Sequence, residues 1–260
     1  MLQMIQFQKT YIFTLAIALF SFCSMAQNTQ LFEQGNTLYN DAQYEEAIKK
    51  YQQILDTDMH SAELYFNLAN AHYKLNHIAP SIFYYEKAIQ LAPNDSEIKQ
   101  NMAFAKNMTL DAIDVVPEVG ISKVINQVSH AVSFDAWAIL AICFVFLSVF
   151  AFINYYLAKG TKTKRFSFTL GFVGLVLMLG SLVSAFNKYD LDKNDNPAIV
   201  FAQESKIKSE PNLRSAEAFI LHEGTKVQVL DTVENWKKIK LTDGKTGWIH
   251  SEDIKLLDSF

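Results

Sequence analysis

Two uninterrupted apolar stretches limit what this 260-residue chain can become. Ala136–Tyr156 and Phe166–Phe186 each run 21 residues without a charge. As helices they would each be about 30 Å long, the thickness of a bilayer's hydrocarbon core. The short loop between them, residues 157–165, carries Lys159, Lys162, Lys164 and Arg165. Cations in short loops stay on the cytoplasmic side. The spacing therefore predicts a two-helix transmembrane hairpin with both long arms on the opposite face. Neither stretch holds an acid or a base, which favours an anchor over an ion or proton pathway. Gly171, Gly174 and Gly180 make part of the second stretch smooth, and Gly180 with Ser184 forms one small-xxx-small pair suited to packing on the first.

A third apolar stretch, Tyr11–Ala26, follows Lys9 and ends with Ser24 and Ala26 where a signal peptidase favours small residues. It predicts a secretory signal over residues 1–26. A retained anchor is one alternative. A lipoprotein signal using Cys23 is another, though Phe22 before it fits poorly. Export of the N-terminal arm agrees with the basic loop. The chain has two cysteines, Cys23 in the signal and Cys143 in the first span, so neither arm has a disulfide available. Both arms must be stable through packing.

Residues 31–58 repeat as 65–92. Phe32 pairs with Phe66, Asn36 with Asn70, Tyr39 with Tyr73, Ile48 with Ile82 and Tyr51 with Tyr85. Small residues also coincide, Gly35 with Ala69 and Ala47 with Ser81. Two antiparallel helices approach closely only where side chains are small, and Tyr51 and Tyr85 are suited to fill the space between neighbouring helix pairs. Pro93 ends the second repeat, where the first has Met59, and Pro80 falls in a first turn, where proline is tolerated. A 34-residue interval is that of a helix–turn–helix array. Residues 28–94 resemble the tetratricopeptide repeat family. A helix over 95–113 would cover the open end through Ile98, Met102, Ala105 and Ala112.

The family resemblance implies a partner-binding groove lined by the first helices: Phe32, Asn36, Tyr39 and Asn40, then Phe66, Asn70, Tyr73 and Lys74. Asparagine can bond a peptide backbone and aromatics can grip side chains. The same Asn and Tyr residues could instead brace adjacent helices. Phe32 and Phe66 stand where chaperone-type repeats carry carboxylate-clamping cations, which argues against that function.

Between the repeats and the first span, Ile121, Val124, Ile125, Val128 and Val132 share one helical face. This connector, 114–135, would lie on the membrane surface or pack under the repeats; Asp135 and Trp137 mark the start of the span. After the second span, Asp190, Asp192 and Asn194 imitate the opening of a calcium loop. Asp195 stands where that loop needs Gly and Phe201 where it needs Glu, so residues 187–196 read as a hydrated linker.

Residues 197–260 change to short alternating segments with glycine turns, which suggests a small barrel. Val227 and Val229 alternate with Lys226 and Gln228, and Asp243-Gly244 forms a turn before "TGWI". Glu223-Gly224-Thr225, Trp236 and Gly247-Trp248-Ile249 resemble the bacterial SH3-like domain. Trp248 is expected to close the core. Trp236 is open to ligand stacking or a structural role. Members of that family often bind cell-wall peptides or protein segments.

The net charge is −4, and the arms hold −6 (residues 27–133) and −2 (residues 187–260), which argues against nucleic acid as a partner. The six histidines are scattered. No metalloprotease, phosphate-loop or nucleophile-elbow motif is present, so neither an enzyme nor a cofactor is expected.

The order is thus a multidomain membrane protein: all-α tetratricopeptide repeat array, two-helix transmembrane hairpin, small all-β SH3-like barrel. That order resembles the BatE family of the Bacteroides aerotolerance operons along essentially the whole chain. The resemblance implies an inner-membrane protein acting with von Willebrand A-domain Bat proteins and an associated MoxR-type ATPase in oxidative or envelope stress. The residues themselves imply an anchored scaffold with two exported interaction modules, or a cell-wall sensor binding peptidoglycan through its SH3-like domain.

Overall fold

The 34-residue period is also a period in backbone conformation. In the computed structural model, which describes residues 27–113, 128–129 and 132–257, helix α1 (residues 27–40) turns into α2 (Tyr44–Leu55), and α3 (Ala62–Lys74) into α4 (Ile78–Leu91). Each turn passes through one left-handed residue, Ala42 and then Asn76, both at φ 58°. Around them the same Schellman bonds recur. Gln43 N–H donates to Leu38 O (2.8 Å) and Ala42 N–H to Tyr39 O (3.0 Å); His77 and Asn76 donate to His72 and Tyr73 at 3.0 Å. The signal over residues 1–26 and most of the connector lie outside the described residues.

Helix α5 (Ser96–Lys106) starts at Asp95, whose carboxylate accepts from the Glu97 and Ile98 amides, and it covers the second repeat with buried Ile98, Met102 and Ala105. It is shorter than the expected cap over 95–113. Residues 107–113 leave the helix, Ala112 is exposed, and Asp111 reaches the C-terminal domain instead.

Seven antiparallel strands follow in one sheet: β1 (Pro197–Val200), β2 (Glu204–Lys208), β3 (Glu217–His222), β4 (Lys226–Val233), β5 (Trp236–Lys240), β6 (Thr246–His250) and β7 (Ile254–Leu256). Their order is β3-β2-β6-β5-β4-β1-β7. One face gathers Val200, Ile207, Val227, Ile239 and Ile249 into a core, and Ile113 packs against it.

The repeats and this sheet form one compact unit. Strand alternation explains how β1 serves both. Ala198 and Val200 belong to the sheet's core, whereas Ile199 joins the repeat core with Ile82, Tyr85 and Leu257.

The second unit is the apolar hairpin, α6 (Phe134–Leu157) and α7 (Thr161–Asn194). Both helices are long and apolar enough to cross a membrane. Most of the stretch 187–196, expected as a hydrated linker, is helical, because α7 continues to Asn194. The basic loop is short, and Lys162, Lys164 and Arg165 lie in the first turns of α7. Gly171 and Gly174 face α6, where a Cβ on Gly171 would lie 3.5 Å from Ala151 and one on Gly174 would lie 2.5 Å from Ser148 Oγ. Gly180 faces open space, and buried Ser181, Ser184 and Ala185 continue the seam instead. Beyond Gly174 the small-residue face advances by helical steps that leave Gly180 on the outside.

Candidate interaction surfaces

The repeated asparagines are braces. Asn36 Oδ1 accepts from the Tyr51 hydroxyl (2.8 Å) and from Asn67 Nδ2 of the next repeat (2.9 Å). Asn70 Oδ1 accepts from the Tyr85 hydroxyl in the same way. Phe32 lies against the Tyr51 ring and Phe66 against Tyr85, with centroids 5.9 and 6.1 Å apart. A Cβ on Gly35 would land on the Tyr51 ring, so Tyr51 crosses the first helix of its own repeat. Burial pushes the Tyr51 hydroxyl up to about 12, aided by nearby Tyr39, and raises Tyr85 too. Both stay neutral donors. Asn36 and Asn70 are thereby committed to the fold. Half-buried Tyr39 and Tyr73, with exposed Asn40 and Lys74, remain available on the first-helix surface. Tyr39 is held edge-on to Tyr44 at 5.3 Å.

In the sheet domain, Trp248 does not close the core. Gly247 and Ile249 on either side of it are buried, and alternation turns Trp248 to the other face, half-exposed. There it pairs across strands with Lys238, beside Trp236 and His250. The Trp236 and His250 rings meet edge-on at 5.5 Å. Trp236 and Trp248 therefore share one aromatic, cationic face outside the core. Gly247 itself lets β6 approach β2, because a Cβ there would run into Ile207.

The junction between repeats and sheet was not legible as a site. Asp111 Oδ2 accepts from His222 N–H (2.7 Å) and the Thr225 hydroxyl (2.6 Å), while its Oδ1 lies 2.7 Å from His222 Nδ1. Burial works to raise the Asp111 carboxyl, but the bonds from Thr225 and His222 outweigh it and hold it below its ordinary value. Glu86 in α4 is buried between Lys226 Nζ (2.8 Å) and Lys106 Nζ (3.5 Å). A buried carboxylate requires such partners. Phe83 meets Phe201 at 5.8 Å, and Lys255 Nζ lies 4.5 Å from the Phe83 ring centre. Gly224 sits at φ 85° in the β3–β4 turn, where a Cβ would come within 2.9 Å of Ile78, Ile82 and Thr109. That glycine serves both the turn and the close approach of the repeats.

One signal for this junction was present. Glu45, Glu46, Lys49 and Lys50 of α2 correspond, 34 residues on, to Ala79, Pro80, Phe83 and Tyr84 of α4. The charged outer face of the first repeat is replaced by an apolar one in the second. A helix with an apolar outer face needs a second neighbour to cover that face.

Family models match three segments: the tetratricopeptide repeat at residues 62–95, the TPR repeat at residues 35–76 and the bacterial SH3 domain at residues 205–255. The chain carries tetratricopeptide repeats and a bacterial SH3 domain. No curated protein matches it. Among solved structures, an NlpC/P60 family protein from Bacillus cereus is 13% identical with a TM-score of 0.21, over 27% of this chain and 23% of that one. The chain thus spans under a quarter of that protein's length.

Proposed function

We propose that the chain is a non-enzymatic inner-membrane scaffold. It presents its tetratricopeptide repeats and SH3 domain to protein partners as one body on the periplasmic side. The observation that carries this reading is the junction. Repeats and SH3 domain are packed together, yet the apolar hairpin lies between them in sequence. The chain leaves at Ile113 and returns at Pro197, so an even number of crossings is required, and two helices supply it. The outer surface of the hairpin supports insertion: Phe146, Phe150, Phe152, Phe168 and Phe186 are each at least 65% exposed. Water would penalise such a surface and lipid would not. The cations of the connecting loop favour the cytoplasm for that end, which leaves the unit formed by both arms outside.

The domain order, resembling the BatE family, points to von Willebrand A-domain Bat proteins and their MoxR-type ATPase as partners, in aerotolerance or envelope stress. The test is crosslinking of the full-length protein in its native membrane, with mass spectrometry of what co-purifies. A Tyr73→Ala, Asn40→Glu, Lys74→Glu variant changes the first-helix surface without touching the Asn36 and Asn70 braces. Loss of von Willebrand A-domain proteins from the folded variant supports the scaffold; their absence from the wild type refutes it.

A second reading is a cell-wall sensor. Bacterial SH3 domains suggest peptidoglycan binding, and the half-exposed face of Trp236, Lys238, Trp248 and His250 offers rings for stacking and cations for acidic groups. Co-sedimentation of the detergent-solubilised full-length protein with purified sacculi tests it. Binding abolished by Trp236→Ala with Trp248→Ala would favour the sensor; no binding by the wild type removes it.

A further inference from the structure

The hairpin carries a groove that its anchoring role does not need. Between α6 and α7 lies an open apolar hollow of about 510 Å³. That volume falls in the range of small-molecule sites. Phe152, Tyr155, Phe168 and Phe172 form its walls, and Gly171 and Ser148 its floor. The floor is low for a physical reason. Gly171 has no side chain, and the Ser148 hydroxyl is drawn inward to Phe144 O (2.9 Å) and Gly171 O (3.3 Å). The groove runs along α7 from Phe168 to Leu175, ending near the loop that joins the helices.

At that end stand four cations, Lys159, Lys162, Lys164 and Arg165. Lys164 precedes Phe168 by one turn on the same helical face, and its ammonium lies 5.9 Å from the ring centre of Tyr155, itself a wall of the groove. Arg165, Lys162 and Lys159 are exposed beside it. No acid occurs anywhere between Asp135 and Asp190, so nothing in this stretch of chain neutralises them. An apolar groove with an uncompensated positive mouth matches one amphiphile: an anionic chain-bearing molecule with its acid at the helix end.

We propose that this groove binds an anionic phospholipid, with an acyl chain along Phe152, Phe168 and Phe172 and the phosphate at Lys162, Lys164 and Arg165. This rests on the membrane reading above. Charge selects the lipid, because a zwitterionic headgroup offers the four cations no net partner. The hairpin would then hold its loop end at a fixed depth in an anionic leaflet.

The test uses the full-length protein in vesicles of phosphatidylcholine and phosphatidylglycerol in equal parts. Flotation measures insertion, and native mass spectrometry of the extracted protein reads which lipid stays bound. The expected result is phosphatidylglycerol retained at least fivefold over phosphatidylcholine. Lys162→Gln, Lys164→Gln, Arg165→Gln together should abolish the preference, while the Lys162→Arg, Lys164→Arg variant keeps it. Phe168→Ala with Phe172→Ala should lower total lipid retained. Failure to float refutes the membrane reading and this inference with it. Flotation with equal retention of the two lipids, with a preference unmoved by the Gln variant, or with a lipid-free dimer in place of the adduct, overturns this inference alone.

Discussion

The Asp111 carboxylate, one helix beyond the repeats, is bonded to both the backbone N–H and the imidazole of His222 in the SH3 domain. Segments more than a hundred residues apart are locked by one side chain. Asp111→Ala would leave the His222 amide and the Thr225 hydroxyl without their acceptor, at a cost of about 2 kcal/mol. The expected outcome is faster hydrogen exchange at residues 222–225, with the repeats' own protection kept. Unchanged exchange there would mean the contact contributes nothing. The pH effect follows from its lowered carboxyl. Its stabilisation is full above the unfolded value of 3.8 and fades as pH falls through the lower folded value.

Asn36 and Asn40 lie one helical turn apart, and they should behave differently. Asn36→Ala removes the acceptor of both Tyr51 and Asn67, and about 2 kcal/mol of stability should go with it. Asn40 is exposed, and Asn40→Ala should stay within about 0.5 kcal/mol of wild type. Chemical denaturation of the two variants decides the matter. Equal midpoints would contradict the brace.

His72 is 8% exposed and stacked on Tyr84 with ring centroids 5.5 Å apart. Burial, then the neighbouring His77, pushes it down to about 4. Unfolding exposes it to bind a proton with an ordinary value of 6.5. Stability should therefore fall as pH drops from about 6.5 to about 4, by up to about 3 kcal/mol. A His72→Phe variant should lose this slope in denaturation midpoints across that window. The same slope in both proteins would place its origin elsewhere.

Gly174 touches Ser148 so closely that a larger residue must part α6 from α7. Gly174→Leu should separate the two helices by an ångström or more, whereas Gly180→Leu, facing open space, should not. Disulfide trapping between cysteines placed at Ala151 and Gly171, whose Cβ positions lie 3.5 Å apart, in a Cys143→Ser background reads the distance. Equal trapping in both variants would refute the seam.

Local architecture followed from runs of neighbouring residues. The interval between Tyr51 and Tyr85 marked the repeats, because each helix pair must present the same small and large residues at the same contacts. The charge-free runs marked the hairpin, because helix length and apolar surface are set by consecutive residues. The alternation of Val227 and Val229 marked the strands. Tertiary structure alone decided what the single-residue roles were. Asn36 and Asn70 could bond a ligand or a tyrosine, and only packing brought Tyr51 and Tyr85 to them. Trp248 could close the core or leave it, and only the register of β6 turned it outward. The junction through Asp111, Glu86 and Gly224 was hidden most deeply. Its partners are separated by the whole hairpin, and a contact between distant segments leaves no periodic trace. Its one trace was the apolar set Ala79, Pro80, Phe83 and Tyr84 on α4, standing where α2 carries Glu45, Glu46, Lys49 and Lys50.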